Sequence, residues 1–227
     1  MATKESVPPA ADDTRDRLIL AAEEVFAAKG FEAASVRDIL RRANVKNIAA
    51  INYYFGDKER LYIETVKNAH TCCNAGIPFP DWPAGAAPEQ KLRDFVHTML
   101  QRLFQPQRPT AFQLMLREMA FPTKACVEVV QEYIRPMAAV LAGILEELLP
   151  GLPRQKHFLI GFSIVGQCLH YRQNRAVCSL LMGPEIFDKL SIDMLAEHIA
   201  EFTLAAIQSL SHPKAHGRKS VGSRSRT

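Results

Sequence analysis

Apolar residues return every three to four positions along almost the whole chain, and no stretch alternates with the period of two that a strand requires. That property restricts the fold to packed helices. Punctuation then sets where the helices start and stop. Leu18, Ala22, Val25 and Phe26 form the stripe of a first helix from about Thr14 to Lys29, and Gly30 stands where a helix-terminating residue of positive φ belongs. Ser35, with Asp38 three residues on, is a capping signature that opens a second helix. Its apolar face is Val36, Ile39, Leu40 and Ala43, and Asn44, which tolerates positive φ, closes it. A third short helix runs from about Asn47 to Tyr54, Gly56 breaks it, and a fourth begins near Asp57. Two short helices crossing steeply over a tight turn make a helix-turn-helix.

Gly76 to Pro88 is a proline- and glycine-rich loop that separates this small domain and its connector from the rest. Beyond it the spacing predicts helices near residues 89–104, 110–120, 123–148, 154–178 and 191–210. Pro136 lies inside the third of these and is expected to kink it. The expectation is an all-α protein in five parts. A disordered arm at residues 1–13 precedes a helix-turn-helix domain at 14–56 and a connector helix at 57–75. A helical regulatory and dimerisation domain at 76–211 and a basic disordered tail at 212–227 complete it.

Charge narrows the function. The chain of 227 residues carries a net charge of +4. Lys214, Arg218, Lys219, Arg224 and Arg226 sit in the tail with no acid among them, so the remainder is close to neutral. Between Ser35 and Arg60, however, Arg37, Arg41, Arg42, Lys46, Lys58 and Arg60 outnumber the acids, a balance permissive for a polyanion. No run of 18 apolar residues exists, so no membrane span is expected, and nothing near the N-terminus reads as a signal peptide. Cys72, Cys73, Cys126, Cys168 and Cys178 are then read as free thiols of a cytoplasmic protein. His70, Cys72 and Cys73 splay apart on a helix, so neither a metal site nor a cofactor is expected.

The stretch Ala50-Ile51-Asn52-Tyr53-Tyr54-Phe55-Gly56 crowds polar and aromatic groups onto every face of one short helix. A recognition helix needs this, since one face packs on its own bundle while another meets a groove. Ile48, Ile51 and Phe55 are spaced to face the core, leaving Asn47, Ala50, Asn52, Tyr53 and Tyr54 for other faces. Small residues permit close backbone approach, amides pair with adenine, and phenols donate to phosphate. Taken singly, Tyr53 and Tyr54 are equally explained by packing on the connector, and Arg41 and Arg42 by a solvated face.

Jointly, these residues resemble a known family. Ala21-Ala22-x-x-Val25-Phe26-x-x-x-Gly30-Phe31, then Ser35-Val36-Arg37-Asp38-Ile39, then Tyr54-Phe55-x-x-Lys58 is similar to the N-terminal domain of TetR-family transcriptional regulators. The AINYYFG run, Arg117-Glu118-Met119-Ala120-x-Pro122-Thr123 and Ser163-Ile164-Val165-Gly166-Gln167-Cys168 resemble the YbiH/CecR-type branch. The resemblance implies a homodimer on a near-palindromic double-stranded operator, released by an unknown small-molecule effector. It assigns Ser35, Tyr53, Tyr54 and Lys58 to phosphates and Asn47, Ala50 and Asn52 to base edges, with Arg37 serving either purpose. Asn52 stands where most of the family has tyrosine. The turn is one residue longer than usual, which leaves open whether Lys46 or Asn47 caps the recognition helix and meets DNA.

Two-fold pairing would bring recognition helices about 34–36 Å apart, or a multiple of that. Gly161, Ser163 and Gly166 on one late helix and Leu195, Ile199, Phe202 and Ala206 on the last are the expected dimer surfaces, unless they close the protomer's own core. Polar groups on otherwise apolar helices mark an effector pocket: His97, Gln113, Arg117, Glu118, Tyr133, Gln167, His170 and Tyr171. Arg117 and Glu118 read equally well as a structural ion pair. An enzyme is disfavoured, because the nucleophile-elbow pattern needs glycine at Val165 and a preceding strand. An architectural DNA-binding dimer without a pocket is the remaining alternative.

Overall fold

A computed structural model describes residues 11–74, 76–105 and 108–211. The arm expected over 1–13 and the basic tail lie outside the described residues, apart from 11–13, which begin the first helix. Among the described residues every regular element is helical. The order is α1 (Ala11–Ala33), α2 (Val36–Arg42), α3 (Ala49–Phe55), α4 (Lys58–Asn74), α5 (Pro88–Phe104), α6 (Pro109–Ala120) and α7 (Lys124–Val129). A π-helical turn (Val130–Ile134) leads into α8 (Arg135–Leu148), followed by α9 (Arg154–Gln173), α10 (Arg175–Met182), α11 (Pro184–Phe187) and α12 (Ile192–Ser211).

The chain divides into two compact units, Met1–Asp81 with Thr98–Leu141, and Trp82–His97 with Ala142–Thr227. In the first, α1, α2, α3, α4, α6 and α7 share one core. Leu18, Ala22, Phe26, Ile39, Ile51, Leu61, Val66 and Leu114 are all buried there, each large side chain worth about 1.5–3 kcal/mol in water-excluded surface. Phe26 meets Tyr62 edge-on at 4.8 Å, and Phe31 lies 5.0 Å from the same ring. In the second unit, Leu92, Phe95 and Val96 are buried, as are Ile144, Leu145, Ile164, Ala196 and Ile199. Lys91 pairs with Glu147 at 2.7 Å, and Arg93 with Glu197.

Two helices differ from the spacing-based expectation. The segment 123–148 is interrupted upstream of Pro136 rather than at it. Proline offers no N–H to the carbonyl one turn earlier, and the chain absorbs the loss by widening one turn, where the Arg135 N–H donates to the Val130 carbonyl. The segment 154–178 breaks at Asn174, whose backbone leaves the helical region (φ −106°, ψ 25°). Its side chain lies 3.3 Å from His170 Nδ1, a local hydrogen bond of the kind by which asparagine competes with helix.

Candidate nucleic-acid interface

The capping signature read from sequence exists. Ser35 Oγ accepts from the Asp38 N–H at 3.1 Å, occupying one of the orphan donors at the start of α2. The Asp38 carboxylate turns outward to Lys29 at 2.8 Å and Arg41 at 2.5 Å. Those donors, Lys29 first and then the Ser35 hydroxyl, hold its pKa down at about 2. At the other end, Asn44 adopts φ 53° and the chain reverses. Arg17 reaches across from α1 to donate to the carbonyls of Ala43 (2.7 Å) and Asn44 (3.2 Å). Sequence reasoning missed Arg17, because its partners are backbone atoms 26 and 27 residues away.

The longer turn resolves in favour of Asn47. Its Oδ1 accepts from the Ala49 N–H at 2.9 Å, and its backbone carbonyl takes the Ala50 N–H. Lys46 is left exposed beside it. Asp57 in turn caps α4 by accepting from the Arg60 N–H at 2.7 Å.

Ile51 and Phe55 face the core as expected, but at the start of α3 two residues exchange roles. Ala50, expected at the base edges, is 8% exposed and packs in the core with Ile51 and Phe55. Ile48, expected in the core, is 58% exposed. Ile48 lies just before the first residue of α3, and Ala50 rather than Ile48 joins Ile51 and Phe55 in the core. Asn52 is exposed and Tyr53 is 80% exposed, while Tyr54 is half-buried with its ring 4.8 Å from that of Tyr53. Lys58 lies with its ammonium 4.6 Å above the Phe31 ring and 3.4 Å from the Glu32 carbonyl. Arg37 is exposed on α2. Asn47, Asn52, Tyr53, Arg37 and Lys46 thus stand in solvent, Ser35 and Lys58 are engaged with their own unit, and Ala50 is withdrawn.

Most of the polar residues expected in a pocket have local partners. In the first unit Glu118, fully buried, accepts from the Tyr62 hydroxyl (2.6 Å), the Thr123 N–H (2.7 Å) and hydroxyl (2.9 Å), and the Cys126 N–H (3.0 Å). Arg117 donates to the Lys29 carbonyl at 3.3 Å, so the two residues are not an ion pair. Tyr133 sits in the π-helical turn with its ring 4.6 Å from His70, whose pKa burial and the charge of Arg102 push down to about 4. Gln113 is exposed. In the second unit His97 meets Asp193 at 2.8 Å, Gln167 donates to the Ser163 carbonyl, and His170 stands 3.6 Å from the Cys178 sulfur with the Tyr171 ring beside it. A further buried charge escaped the sequence reading. Glu23 on α1 is held by Arg108 at 2.7 Å and Thr110 at 2.6 Å, partners more than 80 residues distant.

Of the expected dimer residues, Leu195 and Ile199 are buried in the second unit's own core, which removes them from its surface. Ser163, Gly166, Phe202 and Ala206 are exposed and Gly161 is half-buried. The exposed large apolar residues of these two helices are Phe158, Leu159 and Phe162 on α9 and Met194, Phe202 and Leu210 on α12. Among the described residues no group of three or more His, Cys, Asp or Glu is arranged to hold a metal ion, and no helix is long and apolar enough to cross a membrane.

A capped pair of short helices, the second showing amide and phenol to solvent, has the form of a helix-turn-helix, a class of DNA-binding proteins. Residues 18–65 match the bacterial regulatory proteins of the tetR family, and residues 88–207 match the C-terminal domain of the HTH-type transcriptional dual regulator CecR. The chain belongs to the TetR family of transcriptional regulators, in the branch with a CecR-type C-terminal domain. The HTH-type transcriptional repressor NicS of Pseudomonas putida is 36% identical over 86 residues, 38% of this chain and 40% of that protein. The match therefore spans two fifths of that relative's length. A TetR-like transcriptional regulator from Rhodococcus sp. RHA1 superposes with a TM-score of 0.58 at 18% identity, covering 89% of this chain and 99% of the other. A candidate fatty acid metabolism regulator of Clostridium perfringens gives 0.57 at 17% identity, covering 83% and 97%. At these identities the two structures speak to the fold alone. As a member of this family the chain is a regulator of transcription rather than an enzyme.

Proposed function

We propose that the protein is a homodimeric repressor that binds a near-palindromic operator in the cytoplasm and is released by a small-molecule effector. The observation that carries the DNA-reading part is the split of α3. Ala50, Ile51 and Phe55 anchor it to the core while Asn52 and Tyr53 stand in water one residue apart. An exposed tyrosine and asparagine on a rigidly mounted helix suit a groove, with the phenol directed to a phosphate and the amide to an adenine. Arg37, Lys46 and Asn47 add charge and hydrogen-bonding capacity around it.

Pairing is supported by the apolar face of α9 and α12, since exposed phenylalanines at residues 158, 162 and 202 on one unit are the usual mark of a partner surface. Repression is the role of the relative NicS, carried over to this chain. An effector acts by favouring a conformation whose recognition helices no longer match the operator, and its effect is bounded by its affinity difference between the two states.

Selection of bound fragments from genomic DNA, followed by gel shifts and sedimentation, tests this reading. A palindromic site bound by a dimer is the expected result. A monomer indifferent to duplex DNA even at low salt overturns it. A thermal-shift screen in which no amphipathic or aromatic compound stabilises the protein favours an architectural dimer instead.

A further inference from the structure

We infer that Ile48 reads a thymine through its 5-methyl group, making it a specificity-determining residue of the operator contact. This rests on the DNA-reading function proposed above. Ile48 has helical backbone angles (φ −64°, ψ −26°) at the start of α3, one turn before Asn52, and both side chains are exposed. It is 58% exposed, beside Asn47, Ala49, Asn52 and Tyr53, all exposed as well. The core of the unit takes Ala50, Ile51 and Phe55 from this helix and leaves the branched side chain of Ile48 outside it.

The occupant follows from the chemistry of the groove. Base edges in the major groove offer hydrogen-bond donors and acceptors at every pair, and one apolar group, the thymine methyl. An isoleucine pointed at those edges gains only where that methyl is present. Asn52, by the same rule, suits the N6 and N7 edge of adenine. One helical turn advances about 5.4 Å against about 3.4 Å per base pair, so the thymine lies within one or two pairs of the adenine.

The test uses the full-length protein and the duplex recovered by selection, with each thymine replaced singly by deoxyuridine. That base keeps the hydrogen-bonding edges and lacks the methyl. One replacement in each half-site is expected to weaken binding about four-fold, the worth of a buried methyl-sized group. Ile48→Ala is expected to bind the parent and that deoxyuridine duplex equally, and Ile48→Val to keep the preference. Wild-type protein that binds every deoxyuridine duplex as tightly as the parent overturns this assignment alone. So does Ile48→Ala with an undiminished preference for thymine. Absence of any sequence-selective binding overturns the DNA-reading function itself, and the assignment with it.

Discussion

The Tyr62 hydroxyl donates to Glu118 Oε2 across 2.6 Å, joining α4 to α6 inside the first unit. Burial, reinforced by the carboxylate, raises the phenol's pKa well above its ordinary 10.0. The folded protein therefore keeps this proton at a pH where the unfolded chain gives it up. Its contribution is complete below about pH 10 and is lost as the pH rises above it. Tyr62→Phe is expected to cost about 1.5 kcal/mol at neutral pH, the low end for a hydrogen bond to a charged group, because Glu118 keeps three other donors. Urea midpoints between pH 8 and 11 should fall less steeply in the variant than in the wild type.

Asp38 predicts the opposite limb. Its pKa falls from 3.8 to about 2 through Lys29, Ser35 and Arg41, so the carboxylate stabilises the fold above its unfolded value and loses that effect as the pH drops from about 4 toward 2. Asp38→Asn should lower the melting temperature at pH 7. It should also flatten the loss of stability between pH 4 and 2, as followed by circular dichroism.

Gly30 holds φ 78° and ψ 173°, a conformation open in practice to glycine alone. A Cβ there would also come within 2.8 Å of the Arg117 guanidinium. Gly30→Ala is expected to cost about 1–3 kcal/mol in urea unfolding. Adding Arg117→Ala should recover only part of it, because the backbone strain is independent of the clash. Full recovery would assign the cost to the clash alone.

These residues show what the sequence makes legible. Helical period, the Ser35 cap, the break in helical geometry at Gly30 within α1 and the stops at Asn44 and Gly56 are local chemistry, and each appears where the letters place it. Where so short a helix as α3 begins to pack is less plain. Ile51 and Phe55 face the core as their spacing places them, but Ile48 falls just before the first residue of the helix and Ala50 packs in its stead. Arg17 on the carbonyls that close α2 and Glu23 under Arg108 join positions that only the folded chain makes neighbours. Pro136 did announce a disturbance, but a helix relieves a missing donor upstream of it, so the π-helical turn falls at 130–134.

The division of the α12 stripe leads to separable outcomes. Ile199 is buried within the second unit, so Ile199→Ala is expected to cost about 2–5 kcal/mol of fold stability. Phe202 on the same helix and Phe162 on α9 are exposed, so Phe162→Glu and Phe202→Glu should leave the melting of the fold nearly unchanged. If that face pairs two copies, each buries a charge in the interface, and sedimentation velocity should show monomers. Dimers that persist in both variants would move the pairing surface elsewhere.

The DNA-facing residues separate by their salt and sequence dependence. Lys46 is exposed next to the capped start of α3 and has the reach to meet a phosphate. Lys46→Ala should therefore weaken operator and random duplexes alike and reduce the slope of log affinity against log salt by about 0.9 for each phosphate it neutralises. Tyr53→Phe removes only a hydroxyl from a ring that is 80% exposed, so it should also weaken both duplexes, with little change in that slope. Asn52→Ala should act differently. Without an amide to pair with one adenine, binding is expected to weaken by about 1–3 kcal/mol on the operator and little on random DNA, relaxing selectivity at one position per half-site. Fluorescence anisotropy across a salt series, on both duplexes, distinguishes the three. An Asn52→Ala effect equal on operator and random DNA would move Asn52 from the bases to the backbone and leave base reading to Asn47 and Ile48.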